Sequence, residues 1–465
     1  MAVAAVVLSL TFTAAPAHAD WLRAESERFI LYTEGREADA RDYLQTLESF
    51  DRMLRISVGL DVNEAPFRKL PIYLLGSQRD IRVIAPARGG NLAGFYVASE
   101  EDIFAVGTRS GGDDAVLLHE YAHHFMMQNF ASAYPAWFVE GFAEYYMTAR
   151  FGRGTVEVGH YHENRAYWLQ AANWLPLETL LASRPGEVRR NAESYYPLAW
   201  LLTHWFMSDE QRRSMLHAYM MDIGSGGDPA QAMERATGLT LTELRRTLSG
   251  YMRGGLPYAR LTYDFPAAQP TITRLPRSAN DLLLVNQRLK VGVPDDQREA
   301  TAEEVRRRAA RHSDPFARLV LGHAELHFGD AARGETILTE LLADEPDNIE
   351  ALQLMASARM AQALEAPENQ TALLNTARGF LARAYRQDQE DYRTLYLLAD
   401  SRVGMPDYPN DNDMLTWRSA YVIAPQLGAT RLGYAQALLS RGETDLAVDI
   451  LRPLANNPHG GGGDP

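Results

Sequence analysis

Cysteine is missing from the whole of this 465-residue sequence, which excludes disulfides, thiolate metal ligands and a lipid-modified cysteine anchor. Long uncharged apolar runs are missing too. The best candidate, Ala2 to Ala15, falls short of the roughly 18 residues that a membrane span requires, so no span is expected. Positive charge is in deficit: 46 Lys and Arg stand against 60 Asp and Glu, for a formal net charge of −14. Nucleic acid is therefore not an expected partner, because affinity for phosphate backbones comes mainly from clustered cations. Anionic membrane surfaces are disfavoured on the same ground. The remaining composition, 46% hydrophobic and 10% aromatic, is that of a globular protein, long enough for two or three domains.

Residues 1–19 carry no charged side chain and end in Ala17-His18-Ala19, the small-x-small step that signal peptidase reads. A charged segment ahead of the apolar run is absent, so the stretch reads as an export signal peptide or as a buried N-terminal helix. The first reading places the protein in a bacterial periplasm or outside the cell. From 20 to 110, strands at Phe29–Tyr32 and Leu70–Leu75, a helix of period 3.6 from Asp39 to Leu54, and a hairpin joined by Ser99-Glu100-Glu101-Asp102 predict a small α/β layer. Residues 111–255 are read as a helical lobe. It opens with a helix from Ala115 to about Phe130, capped by Asp113-Asp114, and continues with one from Ala136 to Ala149. Prolines at 257, 266, 270 and 276 mark 256–299 as a linker. Residues 300–459 read as all-helical, and 460–465 as a flexible tail. Leu321, Gly322, Gly329 and Pro346, then Trp417, Ala420 and Pro425, then Tyr434, Ala435, Gly442 and Ala447, fall at spacings that resemble tetratricopeptide repeats. An unspecialised helical bundle is the alternative there. The expected fold class is thus α+β, followed by an all-α solenoid.

The segment that carries chemistry is Leu118-His119-Glu120-Tyr121-Ala122-His123-His124. Two histidines four apart on a helix lie about 40° from each other around the axis and one turn apart. Both imidazoles can therefore reach one ion, and zinc accepts neutral imidazole nitrogen while keeping a position open when it is catalytic. Glu120, next to the first of them, can take a proton from a metal-bound water. The following helix delivers Glu140 and Glu144, again four apart, within the apolar run Trp137-Phe138-Val139-Glu140-Gly141-Phe142-Ala143-Glu144-Tyr145. A buried carboxylate pair is costly without a cation.

Together these two segments resemble the gluzincin metallopeptidases, and among them the peptidase MA-like domains of bacterial secreted proteins. The resemblance implies a zincin-like catalytic lobe holding one Zn²⁺, with His119, His123 and Glu140 as ligands, Glu120 as general base and Glu144 supporting a ligand histidine. It also implies a peptide or protein substrate. In the related aminopeptidases a tyrosine stabilises the oxyanion. Tyr195 and Tyr196 are the candidates here, and the Tyr196–Trp200 spacing favours Tyr196. The G-x-M-E-N element that captures a free amino terminus in those enzymes is absent, which leaves endo- or exopeptidase action open. The alternative to an enzyme is a gluzincin-like scaffold whose repeats bind a protein partner. His124 is expected to be structural, and His160 with His162 a weak second metal candidate.

Overall fold

The computed structural model describes residues 20–86, 93–109, 115–130, 132–171 and 173–455. The expected signal peptide at 1–19, the Asp113-Asp114 cap and the tail at 460–465 lie outside them. The chain begins with β1 (Trp21–Glu25), β2 (Phe29–Glu34), α1 (Glu37–Val58), β3 (Leu70–Leu75), α2 (Gln78–Ile84), β4 (Gly94–Ala98) and β5 (Ile103–Thr108). Next come α3 (Ala115–Asn129), α4 (Ala136–Tyr146), the hairpin β6 (Arg150–Gly152) and β7 (Thr155–Val158), and six helices. These are α5 (Glu163–Ala171), α6 (Leu177–Ala182), α7 (Ala192–Met207), α8 (Glu210–Gly224), α9 (Pro229–Thr237) and α10 (Leu241–Arg253).

Strand alternation sorts the sheet into two faces. Leu70, Ile72 and Leu74 of β3, with Ile103 and Ala105 of β5, pack against α1 and α3 in the largest core. Tyr73, Leu75, Phe104 and Val106 point the other way, into a smaller core. That second face corrects the expected linker. Residues 256–299 carry β8 (Ala259–Thr262), β9 (Thr271–Arg274) and α11 (Ala279–Val291). Strand β8 completes a three-stranded sheet with β6 and β7, and β9 pairs antiparallel with β1. The main sheet therefore runs β4-β5-β3-β2-β1-β9, with β2-β3 and β3-β5 parallel. Helix α11 lays Ala279 and Leu283 on the second face beside Ile81 and Ile84 of α2. The prolines break the helical pattern, as their missing N–H requires, but the stretch between them is bound into both sheets.

After α12 (Arg298–Ala309) come four antiparallel helix pairs: α13 (Pro315–Phe328) with α14 (Ala331–Asp344), α15 (Ile349–Glu365) with α16 (Gln370–Gln387), α17 (Tyr392–Asp400) with α18 (Asp411–Ile423), and α19 (Gly428–Ser440) with α20 (Thr444–Ala455). The first helices of successive pairs, α13, α15 and α17, pack side by side. Gly322 has the close-crossing role that its spacing implies, since a Cβ there would stand 2.6 Å from Leu338 Cδ2 of α14. Among the described residues no helix is long and apolar enough to cross a membrane.

The tightest crossing in the front half is at Gly141, where α4 lies on α7. An added Cβ would meet Thr203 Oγ1 at 2.1 Å and the Ala199 carbonyl oxygen at 2.7 Å. We expect Gly141→Ala to force the two helices apart and destabilise the protein by about 1–3 kcal/mol, as overpacking does. Gly379→Ala, on the exposed side of α16 with nothing near its Cβ, should stabilise by about 0.5–1 kcal/mol. Urea unfolding of both variants checks the pair of signs.

Candidate metal centre

Helix α3 is fixed from below by Tyr121, whose hydroxyl donates to Asp51 Oδ1 of α1 at 2.6 Å. Asp51 is itself held by Arg28 Nε at 2.9 Å and Arg55 Nε at 3.1 Å, all three side chains being buried. A hydrogen bond to a charged partner contributes about 1.5–3 kcal/mol, so this network sets the rotation of α3. With Tyr121 turned down onto the sheet, His119 and His123 are turned toward α4. Helix α4 is wedged between α3 and α7, with Trp137 buried and its indole N–H donating to Tyr219 Oη at 3.1 Å. The missing side chain of Gly141 lets α4 sink far enough for its neighbour Glu140 to become completely buried.

Glu140 and the two histidines converge. His119 Nε2 and His123 Nε2 are 3.0 Å apart, and each lies 3.4 Å from Glu140 Oε2. Tetrahedral zinc with bonds of about 2.0–2.1 Å separates its ligand atoms by about 3.3–3.4 Å, so the triangle has the size of one face of such a site. Among the described residues this is the one group of three or more His, Asp or Glu side chains close enough to hold an ion. His123 and Glu140 are 2% and 1% exposed at the side chain, whereas His119 keeps 14%, which leaves one side of the triangle open.

The field around the triangle favours positive charge. Burial disfavours a charged His119, but its hydrogen bond to Glu140 and the charges of Glu144, Glu140 and Glu120 prevail, holding its pKa up at about 9. A cavity that prefers a proton in this way also prefers a cation. Glu120 is half-buried on the same helix, near enough for its charge to act on both His119 and Tyr196.

Glu144 stands 3.6 Å from His119 Nδ1, beyond hydrogen-bond reach. Its firm partner is Arg165 of α5, which grips both carboxylate oxygens at 2.7 and 2.6 Å. The guanidinium carbon of Arg165 also sits 5.3 Å over the ring of Tyr196. The sequence reading missed this arginine, because it lies on a short helix without periodic apolar signal, 21 positions from the acid it binds. Of the two tyrosines, Tyr195 is fully buried and donates its hydroxyl to the Ser183 carbonyl at 3.0 Å, which turns it away from the catalytic role considered for it. Tyr196 remains half-buried beside the carboxylates. Burial first, then Glu140, Glu144 and Glu120, push its phenol well up, so it stays a protonated donor. Two weaker candidates resolve plainly. His124 Nδ1 meets Tyr96 Oη at 3.1 Å. His160 pairs with Glu157 at 2.9 Å and stacks on Tyr258, and neither it nor His162 belongs to a metal-sized cluster among the described residues.

No family model matches the chain, and no curated protein matches it. Solved structures similar to it are helical-repeat proteins. A thermophilic TPR protein of Thermus thermophilus, TTC0263, is 19% identical with a TM-score of 0.34, over 39% of this chain and 92% of that one. The MamA RS-1 ArsTM double mutant is 16% identical with a TM-score of 0.29, over 40% of this chain and 97% of that one.

Burial lowers the pKa of His124 to about 3, against an ordinary value near 6.5. Between those values the unfolded chain binds a proton that the folded chain refuses, so stability falls as pH drops below about 6.5. This one residue should cost roughly 2 kcal/mol between pH 7 and pH 5. Urea midpoints of metal-free protein at the two pH values measure the loss, and His124→Gln should remove that part of the slope.

Proposed function

We propose that the chain is a zinc-dependent hydrolase of peptide bonds, resembling the gluzincin peptidases, and that it works outside the bacterial cytoplasm. The observation that carries this reading is the triangle of His119, His123 and Glu140 donor atoms with Glu120 one residue from the first ligand. An ion held there supplies Lewis-acid polarisation and water of lowered pKa. The chain's own groups supply the rest. Glu120 takes the proton of the attacking water and passes it to the departing amine. The protonated phenol of Tyr196 donates to the oxygen on which negative charge develops, an interaction of about 2.7–4 kcal/mol where such donors have been removed. Arg165 neutralises Glu144 and holds the Tyr196 ring in place. Among the described residues strand β4 ends the main sheet and lies beside α3, a position suited to receiving an extended peptide.

The test uses full-length protein and a peptide library. Glu120→Gln should still bind zinc but lose about 10²–10⁴-fold in turnover, while Glu140→Gln should lose the metal. Equal activity of Glu120→Gln and wild type, or a wild-type protein free of zinc after growth with it, would end the proposal. Arg165→Gln leaves His119, His123 and Glu140 themselves unchanged. It should weaken zinc about 10–100-fold, as the loss of outer supporting groups does, and equilibrium titration against a competing chelator reads this.

A second reading has its own support. Four helix pairs follow one another in the back half, and the first helices of the leading three stack side by side, as in a solenoid that presents an extended face. In that reading the repeats bind a protein partner and the front end is a scaffold. Zinc-loaded protein that hydrolyses nothing in the library but captures a partner through 315–455 would favour it.

A further inference from the structure

Helices α11, α15 and α17 bring Lys290, Glu350, Tyr392 and Arg393 together into a polar seat. The turn between β4 and β5, Ser99-Glu100-Glu101-Asp102, occupies it. The Ser99 carbonyl accepts a hydrogen bond from Tyr392 Oη of α17 at 3.2 Å. Glu101 Oε2 meets Arg393 Nη2, also of α17, at 2.5 Å, with the arginine side chain 5% exposed. Asp102 is held on one oxygen by Arg68 at 2.6 Å and on the other by Lys290 of α11 at 3.5 Å. Lys290 in turn bridges to Glu350 at the start of α15, at 3.0 Å. Arg68 lies 5.2 Å over the Tyr392 ring, closing the seat from the sheet side. Tyr396 of α17 lies close enough to Glu100 for each to act on the other's ionisation.

Of the three consecutive acids, Glu101 meets an arginine of α17 and Asp102 a lysine of α11, while Tyr392 of α17 holds the Ser99 carbonyl beside them, so helices far along the chain meet this turn with opposite charge. Tyr392 and Leu395 of α17 also pack in the main apolar core, and that packing does not by itself require these charges. We propose that this face of the repeats is a binding surface for an acidic extended segment, and that its resident ligand is the chain's own β4–β5 turn. Being tethered, the turn holds the seat at a high effective concentration, and a free segment must displace it. The same contact ties down the tip of the hairpin whose outer strand, β4, packs on α3. A competing acidic segment would thus act on that strand from the repeat side.

The experiment uses the full-length chain and a fluorescein-labelled acetyl-Val-Ala-Ser-Glu-Glu-Asp-Ile amide, the sequence of 97–103. Glu101→Gln leaves the seat intact and weakens the resident turn. By hydrogen exchange, amides of 96–104 should lose about tenfold in protection while those of α1 keep theirs, as loss of one buried ion pair implies. By anisotropy, the variant should bind the probe about tenfold more tightly than wild type, for the same reason. Adding Arg393→Gln to Glu101→Gln should erase that gain. Unchanged protection in Glu101→Gln, equal probe affinity of variant and wild type, or a gain that survives Arg393→Gln would each overturn the proposal. Neither readout involves zinc, so a failure of the metal reading leaves this one standing, and the reverse holds.

Discussion

Everything in the front half of this molecule follows from one carboxylate that has been taken out of water. Glu140 is wholly buried, and its Oε2 lies 3.4 Å from two imidazole nitrogens. A charge in that position is tolerable only among groups that answer it. The surrounding parts supply the answer. Gly141 lets α4 sink onto α7, and the Tyr121–Asp51 bond fixes the rotation of α3. Arg165 compensates the second buried acid, Glu144, so that two carboxylates one turn apart share a helix without repelling each other unopposed. The site is therefore a property of three helices held at set depths and angles, and His119 is the member of the triangle nearest to solvent.

How much of this was legible in the sequence follows from the range of the interactions. Tyr43, Leu44, Leu47, Phe50 and Leu54 repeat at helical spacing, and α1 buries the last four and half-buries Tyr43. Strand β3 and the β4–β5 hairpin were equally plain, since alternation and a polar turn are written within a short stretch of chain. His119, His123 and Glu140 were legible as candidates because helical geometry converts spacings of four into shared faces. What escaped was long-range. Strand β9 is four residues long and mostly exposed, so no burial pattern marks it, and its partner β1 lies some 250 positions earlier. Arg165, and the arginine and lysine that receive the β4–β5 turn, carry no local signature at all. Between Tyr195 and Tyr196 the spacing favoured the second, but the bond of the Tyr195 hydroxyl to the Ser183 carbonyl could not be read from the sequence.

The back half bears on the front more closely than its helical monotony suggests. Tyr392, Leu395, Ala420, Ile423, Ala424 and Leu427 belong to the same apolar core as α3. Gln128, at the end of that helix, donates to the Ile423 carbonyl at 3.2 Å. A partner that bends or shifts the helix pairs would have a mechanical route to α3 through packed side chains, with no mobile lid required.

Helix α11 gives this coupling a topological form. Its Ala279 and Leu283 roof the sheet over Phe104 and Val106, while Leu282, Val285 and Leu289 on its remaining surface nucleate the packing of α12 and α13. One helix thus belongs to two hydrophobic interiors at once. Cleaving the polypeptide ahead of it would strip the sheet of its covering and leave an oily slab facing water; cleaving after it would deprive the first helix pair of its foundation. The two ends of the molecule are consequently not interchangeable modules that evolution or an engineer can graft separately. They share a wall.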